Sequence, residues 1–545
     1  MDENCFSVQG NIVDVVSRRI FPGIVEVSNG KIIAVREEKV SSSVYLLPGL
    51  VDAHIHIESS MLIPSEFARL AVTHGTVATV SDPHEIANVL GLPGIKFMIE
   101  NGKKVPFKFY FGAPSCVPAT PFETTGARIE ADEIDELLQM DEIGYLSEMM
   151  NFPGVLTEDD QVMAKLALAR KYGKPVDGHA PGLTGDNIRK YIQAGISTDH
   201  ECFTLEEGTE KASLGMKVLI REGSAARNFN TLAPLLDTFP ELVMFCSDDR
   251  HPDDLVRRHI SDIARRAILK GYDLINVIRA CTLNPKKHYK LDTGLLQPGD
   301  PADFIVIDDP DSFSVLQTYI NGKLVAENGK TLIYSVKENP VNFFNAGHIL
   351  PEDLAVSPAG KKIRVIEALE GQLITHELTK NSLIRENNIV SDTEHDLLKM
   401  IVMNRYRPSS PSVAFIMNFG LKRGAIASTV AHDSHNIIAV GVTDEAIAKA
   451  INTLVDSRGG ICCVDGEEVL HLPLPFAGLM SGSDGYEVAA GYERIDRKAH
   501  NLGSQLAAPF MTLSFMALLV IPELKLSDKG LFDGKTFSFT SLFLD

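Results

Sequence analysis

The segment VDAHIHIESS, residues 51–60, alternates polar and apolar side chains along its length. Every second position carries a polar residue: Asp52, His54, His56 and Glu58. An alternation with a period of two predicts a β-strand that places these four side chains on one face. A strand face made of two histidines and two carboxylates indicates either exposure to solvent or a site built around a bound group.

The region that follows this strand reads as a series of β/α units. Eight short β-like runs alternate with helical stretches, at residues 50–56, 76–82, 107–113, 144–149, 175–180, 196–201, 217–223 and 242–249. Eight such units in succession predict an α/β fold of the (β/α)8 type, a TIM-like barrel. The active site of such a barrel lies at the carboxyl ends of its strands.

Side chains that can bind metal ions fall at those strand ends. They are His54 and His56 on the first strand, Glu148 on the fourth, His179 on the fifth, His200 on the sixth and Asp248 on the eighth. Two imidazoles at alternate positions of one strand can hold a single ion. A carboxylate such as Glu148 can bridge two cations and offset their charge, so the set predicts a binuclear centre. Imidazoles mixed with carboxylates suit zinc, manganese and iron about equally.

Hydrolysis is the chemistry that such a centre predicts. Two divalent ions lower the pKa of a water molecule between them and supply a metal-bound hydroxide near neutral pH. Asp248 can orient this hydroxide, take its proton and pass the proton to a leaving group. Asp249 points the other way if the strand continues, which gives it a structural or substrate-contacting role.

Further acidic residues lie near the predicted strand ends. Glu58 follows the first strand, Glu85 follows the second and Glu201 follows the sixth. Several acids that face one pocket favour a substrate rich in N–H donors.

A second polar cluster lies far along the chain, in VAHDSHN at residues 430–436. It brings His432, Asp433 and His435 together. A polar turn is the default interpretation of one short cluster. A second metal site and a cap over the barrel mouth are the alternatives.

The length of 545 residues predicts more than one domain. Residues 50–289 form the predicted barrel. Residues 1–49 and 290–345 both contain short β-like stretches with glycine turns, and we expect them to pair into one small β-sandwich domain. Residues 346–545 form a predicted C-terminal α+β domain.

Composition limits the partners and the compartment. The net charge of −20 disfavours nucleic acid and anionic membrane surfaces, whose phosphates would be repelled. The seven scattered cysteines include no C-x-x-C pair and are typical of reduced thiols. The N-terminal segment has neither a basic start nor an apolar core, so we expect no signal peptide and a cytoplasmic location.

The assembled motifs resemble the amidohydrolase superfamily and, within it, the adenine deaminase family. They span nearly the whole chain: PGLVDAHIHIESSML (48–62), SDPHEIANVLG (81–91), SEMMNFPGV (147–155), DGHAPGL (177–183), STDHE (197–201), CSDDRHP (246–252), GLLQPGDPADFIVI (294–307) and VAHDSHNI (430–437). An H-x-H pair alone would indicate only the superfamily. HIHIESSM, with a glutamate in place of the usual bridging carboxylated lysine, is far more specific.

The resemblance implies hydrolysis of adenine to hypoxanthine and ammonia in purine salvage, at a binuclear centre commonly loaded with manganese or iron. It implies that His54, His56 and Asp248 hold one ion, that Glu148 bridges, and that His179 and His200 hold the second. Mn²⁺ is the expected metal, with Fe²⁺ or Zn²⁺ as alternatives. Asp248 and Glu201 are the expected catalytic residues, and Glu58, Glu85 and Asp249 the expected substrate contacts.

Three alternatives stay open at this stage. Another binuclear metal hydrolase on the same barrel could cleave a cyclic amide, because it needs the same hydroxide. A barrel that has lost catalysis could serve as a binding or assembly subunit, although the complete ligand set disfavours this. Adenosine could replace adenine, and only the resemblance excludes a ribose. We also expect a homodimer, supported by exposed apolar surface in the C-terminal domain.

Overall fold

The computed structural model describes residues 5–544, and residues 1–4 and 545 of the predicted terminal domains lie outside this description. Eight parallel strands form the central barrel: Leu50–His56, Thr76–Ser81, Lys108–Ala113, Ile143–Met149, Val176–Gly178, Thr198–Asp199, Lys217–Arg221 and Val243–Cys246, the last continued by Asp248–Asp249. Asp248–Asp249 pairs with the first strand, and a bridge between Val176 and Ile196 joins the fifth strand to the sixth. The predicted (β/α)8 barrel is therefore confirmed.

Helices cover the outside of the barrel. They are Pro64–Ala71, His84–Leu90, Leu92–Gly102, Ala131–Gln139, Phe152–Leu156, Asp160–Tyr172, Gly185–Gln193, Leu205–Ser213, Phe229–Leu232, Leu235–Thr238, Pro252–Arg257, Ile260–Leu269, Leu274–Ala280 and Leu283–Tyr289. Short 3₁₀ helices span Ile57–Ser60 and Val72–His74.

Both faces of the first strand are buried, which resolves the ambiguity of its alternating pattern. Val51, Ala53 and Ile55 belong to the main apolar core. Asp52 and His54 are also fully buried, on the opposite face. Since buried polar groups are stabilised only by partners, this face has to form a site or a hydrogen-bonded network.

The two segments that flank the barrel join in one sheet of eight strands. In sheet order these are Lys330–Thr331, Lys323–Glu327, Val315–Ile320, Phe304–Ile307, Tyr45–Pro48, Cys5–Asp14, Arg19–Ser28 and Lys31–Glu37. Antiparallel pairing of Phe304–Ile307 with Tyr45–Pro48 connects the N-terminal flank to the later one. Tyr319 stacks between Phe6 and Phe304, with ring centroids 5.3 and 4.5 Å away, so strands from both flanks share one apolar core.

The C-terminal region combines sheets with helices, as predicted. Its main sheet runs Thr375–Asn381, Lys362–Ala368, Ser412–Met417, Leu398–Met403, Ile437–Gly441, Ala425–Ser428, Gly460–Asp465 and Glu468–Pro473. Smaller strands are Leu383–Arg385, Asn388–Val390, Leu524–Ser527, Gly530–Asp533 and Ser538–Phe539, and the helices are Pro351–Leu354 (3₁₀), Asp444–Ser457, Gly485–Leu502 and Pro509–Phe515. No helix within residues 5–544 combines the length and apolarity needed to cross a membrane.

Direct contacts fix this region against the barrel. Arg69 on the first barrel helix donates to Asp484 across 2.8 Å, and Glu66 accepts from the backbone N–H of Gly485 at 3.1 Å. On another side, His251 Nδ1 lies 2.5 Å from the hydroxyl of Tyr492. These contacts hold the C-terminal region over the carboxyl ends of the barrel strands.

Candidate metal centre and substrate pocket

His54 and His56 turn their rings to the same point inside the barrel mouth. Their Nε2 atoms lie 3.2 Å apart. Asp248 Oδ1, on the neighbouring eighth strand, lies 3.5 Å from His54 Nε2 and 3.2 Å from His56 Nε2. The parallel pairing of Asp248 with Ile55 causes this approach, because it sets the carboxylate between the two histidines.

Glu148 presents one oxygen to each of two groups of imidazoles. Its Oε1 lies 3.3 Å from His56 Nε2, on the side of the first strand. Its Oε2 lies 2.8 Å from His179 Nδ1 and 3.2 Å from His200 Nε2. A carboxylate that faces two donor sets through its two oxygens has the geometry of a bridging ligand.

The described residues fit a pair of divalent ions. Ion–ligand bonds of about 2.0–2.2 Å place neighbouring ligand atoms roughly 3.0–3.5 Å apart. The separations of 3.2–3.5 Å between His54, His56 and Asp248 match this spacing. These three residues form one candidate ion-binding group, and His54, Glu148 and His200 form another. Nitrogen and carboxylate donors of this kind do not distinguish manganese, iron and zinc.

Arg221 at the end of the seventh strand joins two of the predicted catalytic residues. Its guanidinium donates to Asp248 Oδ2 at 2.8 Å and, through Nη2, to Glu201 Oε2 at 3.0 Å. Burial opposes the charged form of Asp248, but Arg221 and the hydrogen bonds from His54 and His56 outweigh it and hold the pKa of Asp248 well below its usual range. The carboxylate is therefore ionised and oriented at neutral pH.

The backbone at the end of the eighth strand departs from regular β geometry. Asp248 has a φ of 52°, in the left-handed region, so the simple alternation of faces ends there. As a result Asp248 and Asp249 both line the pocket, although continued alternation predicted opposite directions. Asp249 also accepts a hydrogen bond of 2.5 Å from Ser59 Oγ.

Glu85 reaches the pocket and Glu58 does not. Glu85 is the second residue of the helix His84–Leu90, which follows the second strand, and it lies on the pocket wall. Glu58 lies in the 3₁₀ helix Ile57–Ser60 and accepts from the backbone N–H of Ile86 at 3.1 Å. Burial and the nearby charge of Glu85 raise the pKa of Glu58 to about 7. Glu58 thus lies behind Glu85 and supports the wall.

His84 contributes to the site and was missed from the sequence. Its Nδ1 lies 3.2 Å from Asp82 Oδ2 and 3.5 Å from Glu148 Oε1. Its Nε2 lies 3.6 Å from Asp433 Oδ1. The sequence carries a signal for it, because His84 stands beside Glu85 in the segment SDPHE at the end of the second strand.

The cluster at 430–436 caps the barrel mouth. His432 Nδ1 lies 2.6 Å from Glu85 Oε1, and His435 Nε2 contacts the other oxygen of Glu85. The interpretation as a simple polar turn is therefore wrong, because these side chains cross to the barrel. Three apolar residues of the C-terminal region, Leu373, Phe515 and Leu518, complete the pocket wall.

Asp52 supports the eighth strand from inside the barrel. It accepts from the backbone N–H of Ser247 at 3.0 Å and also from the Ser247 hydroxyl. His259 Nε2 lies 3.0 Å from Asp52 Oδ2, the oxygen that accepts from the Ser247 hydroxyl. Since Ser247 directly precedes Asp248, this network fixes the position of the Asp248 carboxylate.

Comparisons with known proteins agree with this architecture. The profile of the amidohydrolase family matches residues 45–325, and the profile of the adenine deaminase C-terminal domain matches residues 372–538. The adenine deaminase of Sulfurovum sp. (strain NBC37-1) is 57% identical and covers 98% of both chains. That of Methanosarcina mazei is 56% identical over 98% of this chain and 99% of its own, and that of Borreliella burgdorferi is 48% identical over the same shares. The chain therefore belongs to the adenine deaminase family of the amidohydrolases.

Proposed function

We propose that this protein hydrolyses adenine to hypoxanthine and ammonia in purine salvage. The observation that carries the proposal is Glu148, whose two oxygens face His56 on one side and His179 and His200 on the other. The high identity to proteins named adenine deaminase over nearly the full chain supports adenine as the substrate.

Six residues would hold two divalent ions, with Mn²⁺ proposed first and Fe²⁺ or Zn²⁺ as alternatives. His54, His56 and Asp248 would hold one ion, His179 and His200 the other, and Glu148 would bridge them. When bound, the ions would lower the pKa of a water molecule and so supply the nucleophile for attack at C6 of adenine.

The carboxylate of Asp248 has the position of a general base. Arg221 occupies Oδ2, which leaves Oδ1 facing His54 and His56, the side on which the reacting water would be held. Asp248 takes a proton from this water and gives it to the departing amino group. The water supplies the oxygen of hypoxanthine, and its two protons leave with the amine and on the ring, so that atoms balance.

Glu201 is proposed as the second catalytic residue, which carries the proton to the ring nitrogen next to C6. It lies beside His179 and His200, with separations of 3.7 and 3.5 Å to their ring nitrogens. Arg221 holds both of its oxygens. Glu85 and Asp249 on the pocket wall are proposed substrate contacts, and Glu58 is proposed to act through Glu85.

The C-terminal wall excludes water from the reacting atoms. Leu373, Phe515 and Leu518 present apolar side chains to a pocket that the barrel lines mostly with charged or polar residues. Electrostatic interactions gain strength when water is excluded. This wall gives the C-terminal domain a direct part in catalysis.

We also propose a homodimer in the cytoplasm. Exposed apolar side chains in the C-terminal region, among them Leu350, Ile384 and Phe539, support an interface. All seven cysteines are free, which fits a reducing compartment. Light scattering of the purified protein tests the dimer through its mass, which is twice 59.6 kDa if the proposal is right.

Turnover with competing substrates tests the proposed reaction. Enzyme loaded with manganese is incubated separately with adenine, adenosine and a cyclic amide, and product formation is followed. We expect hypoxanthine from adenine and no product from the other two. A cyclic amide turned over in preference to adenine would contradict the proposal, although the comparisons do not favour that activity.

A further inference from the structure

His432 reaches the proposed substrate pocket from the C-terminal region. It follows the strand Ala425–Ser428, and only 2% of the residue is exposed. It lines the pocket together with Glu85 and Asp249 of the barrel. No role in the proposed ion binding or proton transfer is assigned to it.

Two contacts fix the orientation of the His432 ring. Nδ1 lies 2.6 Å from Glu85 Oε1, and the ring stacks on Phe515 with centroids 5.0 Å apart and an interplanar angle of 26°. Nε2, on the opposite side of the ring, has no hydrogen-bond partner among residues 5–544. Its nearest carboxylate is that of Asp249, with Oδ1 at 3.9 Å. A buried ring nitrogen without a hydrogen-bond partner indicates that an atom of a bound ligand supplies that partner.

The surrounding charges make Nε2 a donor. Glu85, Asp249 and Asp433 all place carboxylate oxygens within 3.9 Å of the imidazole. Burial lowers the pKa of His432, but the charges of Glu85 and Asp249 outweigh it and raise the pKa to about 9. An imidazolium at neutral pH donates through both nitrogens.

We propose that His432 Nε2 donates a hydrogen bond to N3 or N7 of adenine, so that the C-terminal domain contributes to recognition of the purine ring. This inference rests on the proposed function. Adenine offers three acceptor nitrogens in its rings, and N1 beside C6 is assigned to the proton carried by Glu201. The remaining acceptors, N3 and N7, are the ones left for a donor on the pocket wall. Glu85 acts as the positioning residue, since its Oε1 lies 2.6 Å from Nδ1.

Deaza analogues of adenine test the proposal in the wild-type holoenzyme. Replacing N3 or N7 by C–H removes one acceptor and leaves the shape of the ring unchanged. We expect kcat/KM for either 3-deazaadenine or 7-deazaadenine to fall by about 10- to 100-fold relative to adenine, the range of a hydrogen bond to a charged donor. Equal kcat/KM for all three compounds would overturn the proposal without any variant.

Two substitutions of His432 test the roles of its two ring nitrogens separately. In His432→Asn the amide nitrogen can replace Nδ1 toward Glu85, and the donor toward the substrate is lost. We expect a fall of about 10- to 100-fold in kcat/KM for adenine and loss of the discrimination against the sensitive deaza analogue. In His432→Gln the amide nitrogen can replace Nε2, so part of the discrimination should return. A His432→Asn enzyme that keeps the wild-type discrimination would overturn the proposal.

His435→Asn is the matched control on the same loop. His435 contacts Glu85 but does not line the pocket, so its substitution should leave the deaza pattern unchanged whatever it does to the absolute rate. Loss of the pattern in this variant would overturn the assignment of the donor to His432. Adenine turnover by the wild type in the same assay distinguishes failure of the His432 proposal from failure of the proposed function. If the wild type does not turn over adenine, the proposed function itself is refuted.

Discussion

Arg221 Nη1 donates a hydrogen bond to Asp248 Oδ2 across 2.8 Å in the buried mouth of the barrel. The same guanidinium holds Glu201, so one cation orients both proposed catalytic carboxylates. Only 2% of Arg221 is exposed, and water screens the interaction little.

Substitution of Arg221 therefore should damage catalysis without unfolding the barrel. In Arg221→Gln the charge that holds Asp248 and Glu201 is lost, and we expect kcat to fall by about 10- to 100-fold, as for other residues that orient metal ligands. Steady-state kinetics with adenine measures this. Arg227→Gln, on a half-exposed side chain of the following loop, should stay within twofold of wild type. Equal activities in the two variants would contradict the role of Arg221.

Glu148→Gln tests the bridging position. A neutral amide cannot offset the charge of two cations, so we expect the metal content to fall from two ions per chain to one or fewer. Elemental analysis after gel filtration measures the ratio. Asp177→Asn is the control, because burial raises the pKa of Asp177 to about 7 and its neutral replacement two residues from His179 should keep two ions. Two tightly bound ions in Glu148→Gln would refute the bridging role.

Asp52→Asn tests the support beneath the eighth strand. The amide loses the negative charge that faces Ser247 and His259, and Asp248 should lose part of its fixed position. We expect metal affinity or kcat to fall by about 10- to 100-fold, with the fold intact by circular dichroism. Titration of the apo-protein with Mn²⁺ gives the affinity. Wild-type affinity together with wild-type kcat would show that Asp52 acts only in folding.

Lys525 predicts a pH dependence of stability. It is fully buried, and its ammonium donates to the carbonyls of Leu373 and Phe515, two residues of the pocket wall. Burial lowers its pKa to about 7, from roughly 10.4 in solvent. Between these values the unfolded chain binds a proton that the folded chain does not, so the contribution of Lys525 to stability rises with pH.

Lys525→Met removes this titration. The quantity compared is the free energy of unfolding of the wild type minus that of Lys525→Met. We expect this difference to be constant below about pH 6 and to rise above pH 7 by up to about 1.4 kcal/mol per pH unit. Urea unfolding from pH 5.5 to 9.5 measures it. Lys171→Met, on an exposed lysine, should give a constant difference over this range. A constant difference for Lys525→Met as well would refute the buried titration.

The barrel and most of the candidate centre could be predicted from the sequence. Parallel strands bring their carboxyl ends to one rim, so residues such as His56, Glu148 and His200 had to meet there once the strands were identified. The alternation of polar residues along the first strand also indicated that one face of this strand forms part of the site. The two flanking segments could also be paired, because each contains short strands with glycine turns.

The remaining features depend on geometry that periodicity does not encode. Glu58 lies in a 3₁₀ helix, where the period of two ends, and therefore supports the wall behind Glu85. Asp249 turns into the pocket because the backbone at Asp248 is left-handed. His432 lies 347 positions after Glu85, and only the folded arrangement of two domains brings them within 2.6 Å.

The most direct measurement is ammonia release from adenine by apo-enzyme titrated with Mn²⁺, with bound metal counted in parallel. We expect no release without metal, a rate that reaches its maximum at two ions per chain, and no release from adenosine at that point. Absence of ammonia from adenine with two ions bound would contradict the proposed reaction. Full activity in the metal-free protein would contradict the binuclear centre.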